Sequence, residues 1–170
     1  MEFRSPFLWA SAALAFFVAG CSTTRRLPDY EAPLKHSLFM KVRTTAYTHT
    51  ETDHLPYSNL NAVGNALSSA GPGGIRSAAA DWARFPLGTQ FLILSTGQVY
   101  EVDDYGWALS GRNTIDLYCP TRGEMNGWGV RRVTIQILHW GNPWQSYRIL
   151  KPRANHAHVQ RMLWEIRKFY

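Results

Sequence analysis

Three aspartates, Asp81, Asp104 and Asp116, are the residues of this chain from which chemistry is most readily built. Asp104 opens Asp104-Tyr105-Gly106, and Asp116 interrupts the apolar run Ile115-Asp116-Leu117 beyond Gly111. Two carboxyl groups facing one groove suit cleavage of a glycosidic bond, in which an acid protonates the leaving oxygen while oxocarbenium charge develops. Such an acid works near neutral pH only if desolvation or a neighbouring carboxylate raises its pKa. Spacing alone leaves plainer readings open. Asp104 also fits a turn residue bonding its own backbone ahead of Gly106, and a strand-borne acid such as Asp116 could simply face solvent. Gly106 and Gly111 suit positive φ or the close approach of a ligand, and ordinary turns explain them equally well.

A second constellation is Tyr47, His49, Glu51, Asp53 and His54, with His36 upstream. Imidazoles and carboxylates this close could hold a metal, but no helical His-x-x-x-His spacing fixes the ligands. The expectation is that these side chains line a cleft, with Tyr47 and His49 touching substrate, and that no metal or other cofactor is used. Cys119, directly after Tyr118, reads as a small buried side chain. No phosphate-binding Gly loop, dinucleotide fingerprint or acyl-transfer triad is present.

Strands must position these groups. Met40, Val42, Thr44 and Ala46 alternate with Lys41, Arg43 and Thr45, the period of a half-buried strand. Further short strands are expected at 90–95, 98–103, 114–118, 131–138 and 145–150. Ser95-Thr96-Gly97 marks a hairpin and Gly71-Pro72-Gly73-Gly74 a loop. Many short strands between Gly-rich turns argue for an all-β fold with minor α content, a small barrel or sandwich. Helices are expected near 123–128 and over 156–169. The second carries Val159, Met162, Leu163 and Ile166 on one face with Arg161, Glu165 and Lys168 elsewhere, which favours packing on the barrel over lying on a membrane. No internal repeat is visible.

The N-terminus reads separately. Arg4, an apolar run from Phe7 to Val18 and then Val18-Ala19-Gly20-Cys21 have the form of a lipoprotein signal peptide, 1–20, ending in a lipobox. The run is short of the roughly 20 apolar residues a spanning helix needs. Lipid on Cys21 would anchor the protein to a membrane, and Ser22 after it suggests the outer membrane, facing the periplasm. Residues 21–37, with Pro28 and Pro33, are expected to be an extended tether. Cys119 is then the one remaining thiol, so no intrachain disulfide can form. The net charge of +6 suits a polyanionic wall polymer, or is only a solvated basic face. No basic stripe with interleaved aromatics marks a nucleic-acid reader.

Thr45-Ala46-Tyr47-Thr48, then Asp81 with Pro86-Leu87-Gly88-Thr89, then Asp104-x-Gly with Gly111-x-x-x-Ile115-Asp116 stand in the order of three blocks of a known domain. Over roughly 42–138 the chain resembles the bacterial 3D (three-aspartate) domain, related to RlpA-like barrels and to the barrel of A-type membrane-bound lytic transglycosylases. The resemblance implies a six-stranded double-psi β-barrel over 38–152, with an amphipathic C-terminal helix, 153–170, packed on it. It implies action on peptidoglycan glycan strands, with Asp116 as catalytic acid and base, Asp104 beside it, and Asp81 as a structural aspartate capping the loop that ends at Phe85-Pro86. Sugar would be bound by Tyr47, His49, Tyr105, Gly106, Trp107, Gly111 and Arg112. Tyr105 and Trp107 stand where many members have Thr and Gly, and one extra residue lies between Gly111 and Ile115. A barrel that binds glycan without cutting it is the alternative from another class, and a metal enzyme using His49 to His54 is a third.

Overall fold

The computed structural model describes residues 25–52 and 54–170. The expected leader, Cys21 and Asp53 lie outside them. Six strands, β1 (Phe39–Tyr47), β2 (Ile75–Ala80), β3 (Gln90–Ile93), β4 (Gln98–Asp104), β5 (Thr114–Tyr118) and β6 (Arg131–His139), close into a barrel in the order β1-β5-β2-β4-β3-β6. β1 runs parallel to β5 and β2 parallel to β4, while the other four pairings are antiparallel. Exchanging the first three strands with the last three leaves this pairing pattern unchanged. The barrel therefore has a two-fold repeat in its connectivity that the sequence does not display.

Alternation decides what faces inward. Met40, Val42, Ala78, Ala80, Phe91, Ile93, Val102, Ile115, Leu117 and Ile135 fill the main core, and closure leaves no strand edge open to another chain. β2 corrects the expected strand set, which did not include it. The expected strand at 145–150 is instead part of helix α2 (Pro143–Leu150). There Asn142 Oδ1 accepts from the N–H groups of Trp144 (2.9 Å) and Gln145 (3.0 Å), and Pro143 sits in the first turn, where its missing donor costs nothing.

Helix α1 (Arg122–Trp128) is capped by Thr121, whose hydroxyl accepts from Glu124 N–H at 3.2 Å. Helix α3 (Ala157–Phe169) buries Val159, Met162, Leu163 and Ile166 in the main core. Glu165, expected on the polar side, is also fully buried (0% exposed), facing Arg84 at 3.4 Å. No helix among the described residues is long and apolar enough to cross a membrane.

The described part of the segment expected as a tether, 25–37, has no helix or strand, but some of it is docked. Glu31 N–H donates to the Gly111 carbonyl (2.8 Å), Asn113 N–H to Glu31 Oε2 (2.8 Å), and Arg161 to the Pro28 carbonyl (2.8 Å). Gly141 marks another close approach, because a Cβ there would press into the backbone carbonyls of Leu87 and Pro86. Gly141→Ala is expected to destabilise the fold by about 1–3 kcal/mol, seen as a lowered midpoint in urea with an unchanged slope.

Candidate active site

The register places four residues in one row across the sheet. Asp104 on β4 pairs with Ala79 on β2, Ala79 with Asp116 on β5, and Asp116 with Thr45 on β1. Directly paired residues share a face, and strands lie about 4.8 Å apart, so the Asp104 and Asp116 backbones are separated by roughly 10 Å with only a methyl group between them. The two-fold of the connectivity passes between Ala79 and Asp116 and relates Asp104 to Thr45.

Asp104 joins this row because of a β-bulge. Strict alternation after Tyr100 and Val102 would send it into the core. Pairing shifts between Ala78/Val102 and Ala79/Asp104, skipping Asp103, so both aspartates reach the outer face. Bulges re-aim side chains in this way. Asp103 Oδ2 accepts from the Ser77 hydroxyl (2.6 Å) and from Asn61 (2.8 Å), while its Oδ1 is buried without a partner.

Asp104 Oδ2 accepts from the Tyr47 hydroxyl at 3.2 Å and lies 3.5 Å from His54 Nε2, and its Oδ1 accepts from Tyr105 N–H at 2.9 Å. That last bond is the self-bonding turn geometry that the sequence left open. Asp116 Oδ1 accepts a 2.6 Å bond from the Thr45 hydroxyl. Tyr47, Leu67, Ala79, Leu109 and Tyr118 form a second buried cluster beside this row. Burial, with smaller contributions from the charges of Glu51 and Asp104, raises the Asp116 pKa to about 6 against the opposing Thr45 bond and Arg43. Burial also raises Asp103 to about 6 against its Ser77 and Asn61 bonds. The bond and charge of Asp104 raise the His54 pKa, burial opposing. Burial and the three aspartates push Tyr47 well up, which keeps its hydroxyl protonated as a donor.

Of the expected sugar-binding residues, Tyr47 and His49 lie at the row, His49 Nδ1 being 2.8 Å from the Tyr118 hydroxyl. Gly106 follows Asp104 in extended backbone (φ −149°). Trp107 lies beneath Arg25, whose guanidinium is 3.9 Å from its ring centre. Tyr105 turns away to pack edge-on against Trp82 (4.9 Å) and toward Arg153. Gly111 takes positive φ (74°), and a Cβ there would lie 2.6 Å from Arg161 Nη1. Arg112 pairs with Glu31 at 3.3 Å. Asp81 lies under these last two, fully buried, accepting from Ala83 N–H (2.8 Å) and Gly111 N–H (2.5 Å). Burial and the Glu165 charge raise its pKa to about 7.

Asp104 and Asp116 thus stand in the row with Tyr47 and His49 beside it, while Gly111, Arg112 and Asp81 belong to the packing beneath the docked segment and Tyr105 to that around Trp82 and Arg153. Thr45 and Ala79, not singled out as site candidates, complete the row; Asp103 and Asn61 bond each other outside it, and Glu51 and His54, expected to line a cleft, reach its aspartates. Among the described residues no group of three or more His, Cys, Asp or Glu side chains is placed to hold a metal ion.

Four acids with raised pKa values, Asp81, Asp103, Asp116 and Glu165, set a pH dependence. Each binds its proton more tightly folded than unfolded, so its contribution to stability is present at low pH and is lost as pH rises toward about 6 for Asp103 and Asp116 and about 7 for Asp81. His54, also raised, acts in the same direction at the upper end. The melting temperature is expected to fall by on the order of 5 °C between about pH 5 and 7.5, and a rise over that range in a calorimetric series would contradict the assignment.

No protein-family model matches the chain, and no curated protein matches it.

Proposed function

We propose that this chain is an envelope lipoprotein, anchored by lipid on Cys21 and needing no cofactor, whose double-psi barrel cleaves peptidoglycan glycan strands by lytic transglycosylase chemistry.

 The two parallel strand pairs and the two-fold connectivity support the double-psi reading, as do the three sequence blocks. One observation carries the chemistry: Asp116 is an acid whose pKa is raised to about 6, set on the outer face in one row with Asp104.

A group with that pKa is partly protonated near neutral pH and can act first as acid and then as base. Asp116 would protonate the oxygen between N-acetylmuramic acid and N-acetylglucosamine. As carboxylate it would then take the proton from the muramoyl 6-hydroxyl as that hydroxyl attacks the anomeric carbon. The product is a 1,6-anhydro sugar, and no water is consumed. Asp104, whose charge raises the Asp116 pKa, would help to stabilise the positive charge of the transition state.

A second reading, a barrel that binds glycan without cutting it, is favoured by the Thr45 bond, which opposes the upward pull of burial on the Asp116 pKa and occupies one of its oxygens. Incubating the full-length protein in detergent with purified peptidoglycan, and analysing released fragments by mass spectrometry, separates the two. Anhydromuramoyl ends support the lytic reaction. Hydrated reducing ends replace it with hydrolysis, and co-sedimentation without fragments leaves the binding barrel.

A further inference from the structure

At the end of the barrel where β2, β4 and β6 begin, the strands leave a cavity of about 350 Å³, the size of a small-ligand site. No step of the proposed cleavage uses it. Leu117, Tyr100 and the Trp128 indole give it apolar walls, Cys119 lines it, and Arg76 and Arg131 bring two guanidinium groups to it.

Both arginines are held in place by the protein. Arg76 Nε donates to the Ala70 carbonyl at 2.7 Å. Arg131 donates to the Trp128 and Gly127 carbonyls at 2.8 and 2.7 Å, with its guanidinium 4.5 Å from the Trp128 ring centre. A guanidinium has five N–H donors, and these bonds use only part of each set. Glu124 is the single acid on the wall, so two fixed cations face one carboxylate and the balance favours an anion. Carboxylates are the anions that a guanidinium fork fits best together with phosphates.

The cavity and the aspartate row meet β5 on opposite faces, Leu117 lining the one and Asp116 standing in the other. Cys119 follows Asp116 by three residues, roughly 10 Å along the chain. Their proximity is felt electrostatically: burial, then Glu124, and also Asp116 raise the Cys119 thiol pKa, with Arg76 opposing.

We propose that this cavity takes the free carboxylate of a short peptide carried on the glycan strand, with Arg76 and Arg131 holding the carboxylate and Trp128 and Leu117 packing the peptide's small apolar side chains. The inference rests on the glycan reading above. A peptide branching from a sugar at Asp116 would turn over the end of β5 at Cys119 to enter the cavity, a path on the order of the 10 Å that three extended residues span. The preferred substrate is then peptide-bearing strand, not bare glycan.

The test uses the dipeptide D-alanyl-D-alanine and its C-terminal amide, each titrated into the full-length protein in detergent while the Trp128 indole N–H is followed by NMR. The acid is expected to bind at least about 10-fold more tightly than the amide, and Arg76→Gln or Arg131→Gln to weaken the acid about 10-fold while leaving the amide unchanged. Equal binding of acid and amide by the unsubstituted protein, or no shift with either, overturns the proposal without relying on the variants. Because no glycan is present, the two readings separate: strands cut by a protein that ignores the acid sink the cavity alone, and selective acid binding without cleavage sinks the cleavage alone.

Discussion

Replacing Asp116 with Asn is expected to lower the rate of fragment release about 10²–10⁴-fold, the usual contribution of a positioned acid or base, while leaving the protein folded. The two parts follow from the same surroundings. Asn presents an oxygen that can still accept the Thr45 hydroxyl, whose bond to Asp116 Oδ1 is 2.6 Å. It removes a carboxyl group whose charge burial disfavours, so stability at pH 7 should hold or rise slightly. A merely structural aspartate would behave the other way, losing stability together with any activity. Asp103→Asn is the control. That carboxyl also has its pKa raised to about 6, but it is tied to Ser77 and Asn61 and has no place in the Thr45-Asp116-Ala79-Asp104 row. Mass spectrometry on purified peptidoglycan, beside thermal melts, should find release abolished in Asp116→Asn and largely retained in Asp103→Asn. Equal loss in both would mean that the outer face is damaged generally and that Asp116 has no special role.

What the sequence made legible were the elements whose pattern is local. The alternation in β1 and the apolar face of α3 are written in side-chain period, and both elements form where that period places them. β2 was hidden because Ser77-Ala78-Ala79-Ala80 lacks the branched and aromatic residues that mark strands. Ala78 and Ala80 are what the crowded centre of the barrel accepts, and Ser77 and Ala79 are buried on the outer face beside the aspartates. The segment 145–150 misled because its apolar residues fit either period, while the deciding signal, Asn142-Pro143 as cap and first turn, lay just before it.

The site divides in the same way. Asp104 and Asp116 stood out by type, but their relation depends on a bulge at Asp103 and on pairing between strands far apart in sequence. No local period encodes either. Glu51 and His54 reach the aspartates from the loop after β1, and loop residues carry no pattern from which a direction could be read. Glu165 shows the converse limit: helical spacing placed it correctly relative to its neighbours, yet its burial is decided by Arg84 on the other side of the contact.

That contact carries the largest expected effect on stability. Arg84, 4% exposed, lies 3.4 Å from Glu165 Oε2 and 4.0 Å from Asp81 Oδ2. It also donates to Asn113 Oδ1 at 2.8 Å and to the Glu31 carbonyl at 2.5 Å. One cation therefore serves two buried acids and holds the docked N-terminal segment. Removing one partner of a buried ion pair costs about 3–5 kcal/mol, because the opposite charge stays buried and unmatched. Arg84→Met keeps much of the volume and removes the charge, so its melting temperature at pH 7.5 should fall by on the order of 10 °C or more. The sign of the pH response follows. Burial already raises the pKa of Asp81 to about 7 and raises that of Glu165, with Arg84 opposing both. Without the arginine both rise further, so stability is regained as pH falls and protons neutralise them, and is lost as pH rises. Adding Glu165→Gln to Arg84→Met should restore a large part of the loss at pH 7.5, since Gln can be buried without charge. A melting temperature for Arg84→Met within about 2 °C of the parent, or one that is equally low at pH 5 and 7.5, would show that the loss of charge is not what matters at this site.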